Sequence, residues 1–597
     1  MRGASPPTAG SAAPTHAGAS GRIERQHLFK EDGVKPRLFV PRVTALIVLL
    51  VVAAAGCSQP AVPSQTALAP TATSAPASAA PEGTLTVGLA SLGNEQMVAG
   101  LADAYANVIM DSVYESLVTT GPDLKVQPML AERWEMAPDG KSYTFWLRKG
   151  IQYQDGVGEL TSADVKYSLE RTADERSLQT NASAIRAAIQ SIDASDPYKV
   201  VINLKEPNWA FISYLNHTGA LTGGVGIVSK KYVEQVGDAE ASKHPKGTGP
   251  WKLVDHQTAS SFTFEAVEGH WRQTPAFKKL VVRLVPNEAT RLSMLRSGDL
   301  DIAELTAAMK PEAKSAGIAT RSNPGDSSIF VALQGQLLPT VPTFDQSVPW
   351  AADPADKEAS ARALKVRKAL ALATDTQAII DRIYNGEAQP SAVVDYVPGT
   401  PQYDPSWKPY PYDLNEAKRL LAEAGYASGF AKPIDLRLVA LPGRPELPDI
   451  GQAIGMMWEQ GLGLKIKYTQ MDWNTIRPQM FVRNVPWVAW AVATGTMADP
   501  AIALRVSNHS KAAMSSFEYA SSDDLIDKIS GEMDSDKRLA LHRQLGQLLY
   551  DNVVAIPIGV KNSLYGVSER VGDWPMVRGQ MYSPLVVFEY IRHGQKR

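Results

Sequence analysis

The sequence predicts a mixed α/β fold of two to four domains. Three observations lead there. Strand-like alternation and helix-like periodicity follow one another irregularly along the chain. About 540 residues follow Cys57, the single cysteine, and a domain takes roughly 100–200. Hydrophobic residues make up 44% and charged residues 20%, the balance of a globular core with a charged surface. The formal charge of −2 gives no reason to expect nucleic acid or an anionic membrane surface as a partner. No run after Cys57 reaches the roughly 20 apolar residues of a membrane span. One thiol cannot form an internal disulfide, so stability must come from the core.

The elements follow in order. Residues 1–56 are expected to be a signal segment. Lys35, Arg37 and Arg42 precede "VTALIVLLVVAAAG", Val43–Gly56, which has the length of a signal-peptide core and ends in small residues. Ala54-Ala55-Gly56-Cys57 resembles a bacterial lipobox, in which the chain is cut before the cysteine and the thiol takes a lipid. Leu is usual at the first lipobox position, and Ala54 departs from it. Ordinary signal cleavage and a short uncleaved anchor are the competing readings. Residues 1–33 read as a leader without structural content, which puts the expected translation start at or near Val34. Residues 57–82, from Cys57 through the Ala-, Pro-, Ser- and Thr-rich "SQPAVPSQTALAPTATSAPASAAPE", cannot bury enough to offset their ordering entropy and read as a flexible tether.

Order is expected from Gly83–Ser91, which alternates as a strand. Asp139-Gly140 reads as a hairpin turn before a strand, with Trp134 and Phe145 as core residues. Thr161 or Ser162 should cap the helix of "TSADVKYSLER". "KKLVVRLVP" reads as a strand, followed by a helix through Ala289–Arg296 that ends at Gly298, and "VRKALALATDTQAIIDRIYNG" as a helix pair ending at Gly386. In "DLNEAKRLLAEAGY", Asp413 is the expected cap and Glu416 its capping-box partner. Leu414, Ala417, Leu420, Leu421 and Ala424 form the apolar stripe, and Gly425 the stop.

Catalytic signatures are absent from the sequence. There is no HExxH, GxSxG, phosphate-loop or CxxC motif, and no two of the nine histidines stand four apart. "HPKGTGPWKL", His244–Leu253, has the glycines of a phosphate loop but leads into a strand rather than a helix, so a tight turn is expected there. These absences favour a binding protein over an enzyme, with no cofactor and no metal.

Six stretches, in order, resemble the extracellular solute-binding proteins of family 5, the peptide/nickel receptor class of ABC importers. They are "LAERWEMAPDGKSYTFWLRKGIQYQDG" with "LTSADVKYSLER", then "KGTGPWKLV", "RLSMLRSGDLDIAE", "VRKALALATDTQAII" and "YPYDLNEAKRLLAEAGY", over Gly83 to roughly Pro557. The resemblance implies a two-lobed periplasmic-binding-protein clamshell of three subdomains (cluster C type). Lobe one would combine residues 83–115, 246–325 and 565–597, an inserted subdomain 116–245, and lobe two 326–564. Rigid lobes of such a receptor close on a solute between them. The implied partners are a small organic solute and separate permease and ATPase subunits, with the membrane touched only through the lipid. The implied state is a monomer, exported and anchored, facing the periplasm or exterior.

Departures from the family pattern bear on the solute. The family's peptide receptors commonly carry an acid four places before the Pro of a "DP" motif and three after a Trp, to meet the peptide ammonium. In "WVAWAVATGTMADP" those places hold Thr496 and Ala493. A free peptide N-terminus is therefore disfavoured, unless Asp499 or Asp472 takes the role, because a buried ammonium without a counter-charge is costly. After the first strand the polar Asn94, Glu95 and Gln96 replace the family's Leu-Asp-Pro. A polar, aromatic pocket suits an oligosaccharide or another hydroxylated solute, with a peptide-like solute the other expected class. The expected ligand-binding residues are Asn94, Glu95, Gln96, Trp473, Trp487, Trp490, Thr494, Thr496 and Tyr565, with core packing the competing role for each Trp. Nickel is disfavoured without a histidine cluster. The alternatives to an importer receptor are a solute sensor or chaperone and, further off, a secreted hydrolase.

Replacing Cys57 by Ser should move the protein from the membrane to the soluble fraction, read by fractionation and immunoblot. A variant that stays on the membrane after salt washing would place the anchor elsewhere.

Overall fold

The computed structural model describes residues 80–595 except 104, 122–124, 180, 217–224, 335–340, 342, 442–443, 496–498, 513–516 and 577–587. Cys57, the lipobox and the tether as far as residue 79 lie outside the described residues, as does Thr496, while Glu82, at the expected end of the tether, already donates its N–H to the Ala276 carbonyl at 3.0 Å. No helix among the described residues is long and apolar enough to cross a membrane.

One large mixed sheet organises the chain. Its strand order is Ile466–Asp472, Ile434–Ala440, Val488–Gly495, Ala319–Leu333, Ile556–Val567, Ile302–Leu305, Thr84–Leu89, Lys279–Leu284, Ser261–Ala266 and Trp251–Gln257, with Ala388–Pro390 added beside Ile556–Val567. The two longest strands, Ala319–Leu333 and Ile556–Val567, stand in the middle and join the two halves of the sheet. The first half lies to the Thr84–Leu89 side and packs over Leu85, Val87, Phe262, Phe264, Leu280 and Val282. The second half is covered on both faces. One face buries Ile329, Val331, Leu436, Ala489 and Ala491, and the other buries Phe330, Ala332, Val488, Trp490 and Val492. Double burial explains why "VAWAVA" is apolar throughout rather than alternating.

A separate antiparallel sheet, Ala131–Met136, Ser142–Leu147, Lys199–Leu204 and Ile189–Asp196, has its own core around Phe145, Val200 and Ile202. Its first hairpin turns at Asp139-Gly140, where Gly140 takes φ +68. Phe145 is fully buried and Trp134 only half-buried, because Trp134 lies on a strand with an exposed outer face.

The local predictions hold with small shifts. Thr161 caps Ser162–Thr172, and the Asp164 carboxylate accepts from the Thr161 N–H at 2.8 Å. Glu288–Ser297 ends at Gly298 in the left-handed conformation. The helix pair is Lys357–Leu372 and Thr376–Arg382, so its second member stops four residues before Gly386. Asp413 caps Leu414–Glu423 by accepting from the Asn415 and Glu416 N–H groups. Glu416 is not a capping-box partner. Its carboxylate pairs with Arg419 at 2.6 Å, one turn along. The glycines of His244–Leu253 serve close approach: a Cβ on Gly247 would stand 1.9 Å from the Val113 carbonyl oxygen, and the Gly249 N–H donates to that same oxygen at 2.8 Å.

Candidate functional site

The two middle strands pair with each other in two ladders of different register. Ala319–Asn323 pair with Ser563–Val567, and Ser327–Val331 pair with Ile556–Lys561. Between these ladders Pro324, Gly325 and Asp326 leave the register. Pro324 has no N–H to donate, and Gly325 takes φ +72. Asp326 is thereby turned inward and wholly buried.

A buried carboxylate needs a partner, because its isolated desolvation costs several kcal/mol or more. Arg444 supplies it, its Nη2 lying 3.1 and 2.9 Å from the two Asp326 oxygens and 2.8 Å from Ser327 Oγ. Lys561 Nζ stands 3.5 Å from Asp326 and 3.5 Å from Glu446. Two cations and two carboxylates thus meet where the halves of the sheet join. Burial opposes the Arg444 charge, but the Asp326 and Glu446 carboxylates outweigh it and hold the guanidinium protonated. Tyr105 and Glu304, both from the first half, lie within the electrostatic reach of Arg444, which comes from the second. Burial also raises the Tyr384 and Tyr565 hydroxyls well above the usual tyrosine range, with neighbouring carboxylates adding to it.

A second polar group lies at the end of Val488–Gly495. The half-buried Thr494 donates its hydroxyl to Asp395 Oδ1, and the Asp395 N–H donates to Ser328 Oγ at 3.1 Å. Asp395 is 1% exposed and takes φ +61, a conformation unusual for a residue with a side chain. Its Oδ2 has no hydrogen-bond partner among the described residues. Burial outweighs the Thr494 hydrogen bond and pushes the carboxyl up to about 7.

The structure brings together only some of the residues expected from sequence. Thr494 and Tyr565 stand by the crossing of the two strands. Asn94, Glu95 and Gln96 do not present free polar groups to it. The Asn94 side chain closes its own loop, accepting from the Asp103 N–H at 3.2 Å and donating to the Leu101 carbonyl at 2.8 Å. Glu95 meets His256 at 2.9 Å and the Ala259 N–H at 3.0 Å. Gln96 accepts from Ser242 at 3.3 Å. All these partners belong to the first half, and it is Tyr105 from the same loop that reaches toward Arg444. Trp487 and Trp490 are core residues. Trp487 packs edge-on against Trp350 and Phe430 and donates its indole N–H to Ser347 at 3.2 Å. Trp490 is fully enclosed between Ile476, Met480 and their neighbours, with the half-buried Trp473 stacked beside it at 6.4 Å. The strand that carries Trp490 is flanked by strands and covered on both faces, so either direction of the side chain leads into core. Asp499 and Asp472, the alternative acids, cap helices. They accept from the Ala501 N–H at 2.7 Å and the Thr475 N–H at 2.8 Å.

Sequence reading missed Asp326, Arg444, Glu446, Lys561 and Asp395. A signal existed for two of them. Lys561 is the lone charge within the apolar "AIPIGVKNSLYGV", and Asp326 follows Pro-Gly at the head of the apolar "SSIFVAL". A charge inside an apolar strand is buried with a partner or marks a site. That Arg444, 118 residues from Asp326, is the partner has no local signature.

The family model described as "Bacterial extracellular solute-binding proteins, family 5 Middle" matches residues 125–514. Heme-binding protein A of Haemophilus influenzae is 26% identical over 511 residues, covering 80% of this chain and 86% of that protein. Glutathione-binding protein GsiB of Salmonella typhimurium is 29% identical over 335 residues, 55% of this chain and 59% of that protein. Among solved structures, the periplasmic binding protein DppA of Helicobacter pylori in complex with peptide STSA superposes with a TM-score of 0.69 at 22% identity, over 86% of this chain and 98% of that one. AgaA of A. tumefacien R10 in complex with agropinic acid gives 0.69 at 23%, over 86% and 99%. The structural likenesses establish the periplasmic-binding-protein fold.

The Asp395 carboxyl sets a pH dependence. Its folded value of about 7 lies above the unfolded value of about 3.9. Between the two the native state holds a proton that the unfolded chain has released, so this group's contribution falls as pH rises through that window. Asp395→Asn keeps an acceptor for Thr494 and cannot ionise. Its melting temperature relative to wild type should therefore rise from pH 4 to pH 7.5, by calorimetry. A difference that is constant with pH would contradict this.

Proposed function

The chain belongs to the bacterial extracellular solute-binding proteins of family 5, and from that premise we propose that it is the substrate-binding lipoprotein of an ABC importer. It captures a small organic solute outside the cell and hands it to a membrane permease whose ATPase is a separate subunit. Cys57 carries the lipid, residues 57–82 are the tether, and the receptor works as a monomer at the membrane surface, facing the periplasm or exterior.

The observation that carries this reading is the pair of crossing strands. Two half-sheets share only Ala319–Leu333 and Ile556–Val567, each with a change of ladder where the halves meet. Strands of that kind can bend at the break while the ladders on either side stay intact, which is the mechanics of hinge closure. The lobe boundaries at 325/326 and 564/565 draw support from the same break. The one at 115/116 draws support from the separate core of the inserted sheet, which runs from Leu117 to Ile227, whereas Val228, Val233 and Ala241 pack into the core of the first half and move the return to lobe one ahead of 245/246.

Solute capture then falls to the groups at the floor of the cleft. Tyr105, Tyr565, Arg444, Lys561 and the Thr494–Asp395 pair offer charge and hydrogen bonding, while aromatic area supplies contact. The oligosaccharide reading loses its main support, since Trp487 and Trp490 lie in the core and cannot face a sugar ring. A peptide-like solute with charged ends fits better. Relatives named for glutathione and heme, and a neighbour held with the peptide STSA, support that class.

Native mass spectrometry of the purified chain is the test. A co-purified organic molecule of a few hundred daltons, lost on partial unfolding, is the expected result. Bare protein purified from its own host, with no uptake defect when the gene is deleted, would favour a sensor or chaperone.

A further inference from the structure

The inserted sheet domain touches the second half of the molecule at a place apart from the crossing strands. Its centre is Trp209. The indole N–H donates to the Ile529 carbonyl at 2.7 Å, across 320 residues of sequence. Ile529 lies in the last turn of Asp523–Gly531, where its carbonyl accepts only a long 3.4 Å bond from the capping Glu532 N–H, which leaves a lone pair for the indole. The Arg538 guanidinium lies 3.9 Å over the face of the same ring and is aimed by the Glu532 carbonyl, to which it donates at 2.8 Å. Ile502, from the second half, completes the inserted sheet's own core and is 6% exposed.

The residues behind Trp209 fix it in place. Asn208 caps the short helix Trp209–Leu215 by accepting from the Ala210 N–H at 3.1 Å. The Tyr143 hydroxyl donates to the Trp209 carbonyl at 2.6 Å. The hairpin tip makes the neighbouring contact, where a Cβ on Gly140 would stand 2.4 Å from Met533. The inserted domain thus builds a rigid mount, and the groups on it face the other side.

We propose that Trp209 is the bolt of a closure latch: its contact with Ile529 and Arg538 holds the inserted domain against lobe two and sets the balance between open and closed receptor. This rests on the reading of the chain as a closing receptor. Opening about the crossing strands would break the Trp209 hydrogen bond, lift the ring from Arg538 and uncover Ile502. None of these groups belongs to the solute-binding floor. The latch therefore tunes affinity through the closed fraction, for every solute alike.

The single native cysteine allows a direct test. In the full chain with Cys57→Ser, the exposed Ser195 and Lys537 are changed to Cys and spin-labelled, and pulsed EPR reads the distance between inserted domain and lobe two. The chain without the latch change should show mostly the shorter distance. Trp209→Ala should shift the closed-to-open ratio about tenfold toward the longer one, the loss of one hydrogen bond and one cation–π contact. Trp209→Phe, which keeps a ring but no donor, should fall between. Arg538→Gln tests the latch from the opposite side and must shift the same way, which covers the case of a Trp209 variant that fails to fold. An unchanged distribution in folded Trp209→Ala, or in Arg538→Gln, overturns the latch. The labels report on the unloaded chain. A latch that opens in a protein found to bind no solute would sink the receptor reading alone, and an unchanged distribution in a protein that binds solute would sink the latch alone.

Discussion

Two strands must serve two bodies. Ala319–Leu333 and Ile556–Val567 carry the pairing of both half-sheets, and the change of ladder at Pro324-Gly325-Asp326 lets them do so. That break drives Asp326 inward, which in turn requires Arg444 and Lys561. Glu446 follows as the second carboxylate for Lys561. The buried charges are a consequence of the joint. Removing one partner of such a group typically costs about 3–5 kcal/mol, far more than a surface pair contributes. The same joint gathers Tyr105 from the loop after the first strand, Glu304 and Tyr565 from the first half, and Arg444 from a segment more than a hundred residues on. A place where separate segments bring charge together without solvent is where a solute with charged ends can be recognised.

The molecule is held at two separated zones. The joint supplies connectivity and the polar floor, and the inserted domain supplies a contact through Trp209 on one side and Ile529 and Arg538 on the other. Two zones allow two functions to be set independently. In the proposed receptor, the floor residues would select the solute and the remote contact would bias the shape in which it is held.

Much of the fold was legible because its signals are local. The Asp139-Gly140 turn, the Thr161 and Asp413 caps and the Gly298 stop each act within a few residues, and each stands where the sequence put it. Glu416 was misread because Arg419, one turn along the helix, is a stronger partner for it than the cap N–H. The site was less legible for two physical reasons. Polar loop residues often satisfy their own loop, as Asn94, Glu95 and Gln96 do, and sequence does not reveal which backbone groups need them. Aromatics in an apolar strand read equally as pocket wall or core. For Trp490 the deciding fact is that its strand is central and covered on both faces, a property of the whole sheet. Asp395 illustrates the same limit, since its partner Thr494 lies 99 residues away.

The central claim is that solute closes the two lobes about the crossing strands. Small-angle scattering of the unloaded chain, before and after its co-purified solute is added back, measures this most directly. A smaller radius of gyration at saturation is expected. An unchanged radius, with binding verified in the same sample, would contradict it.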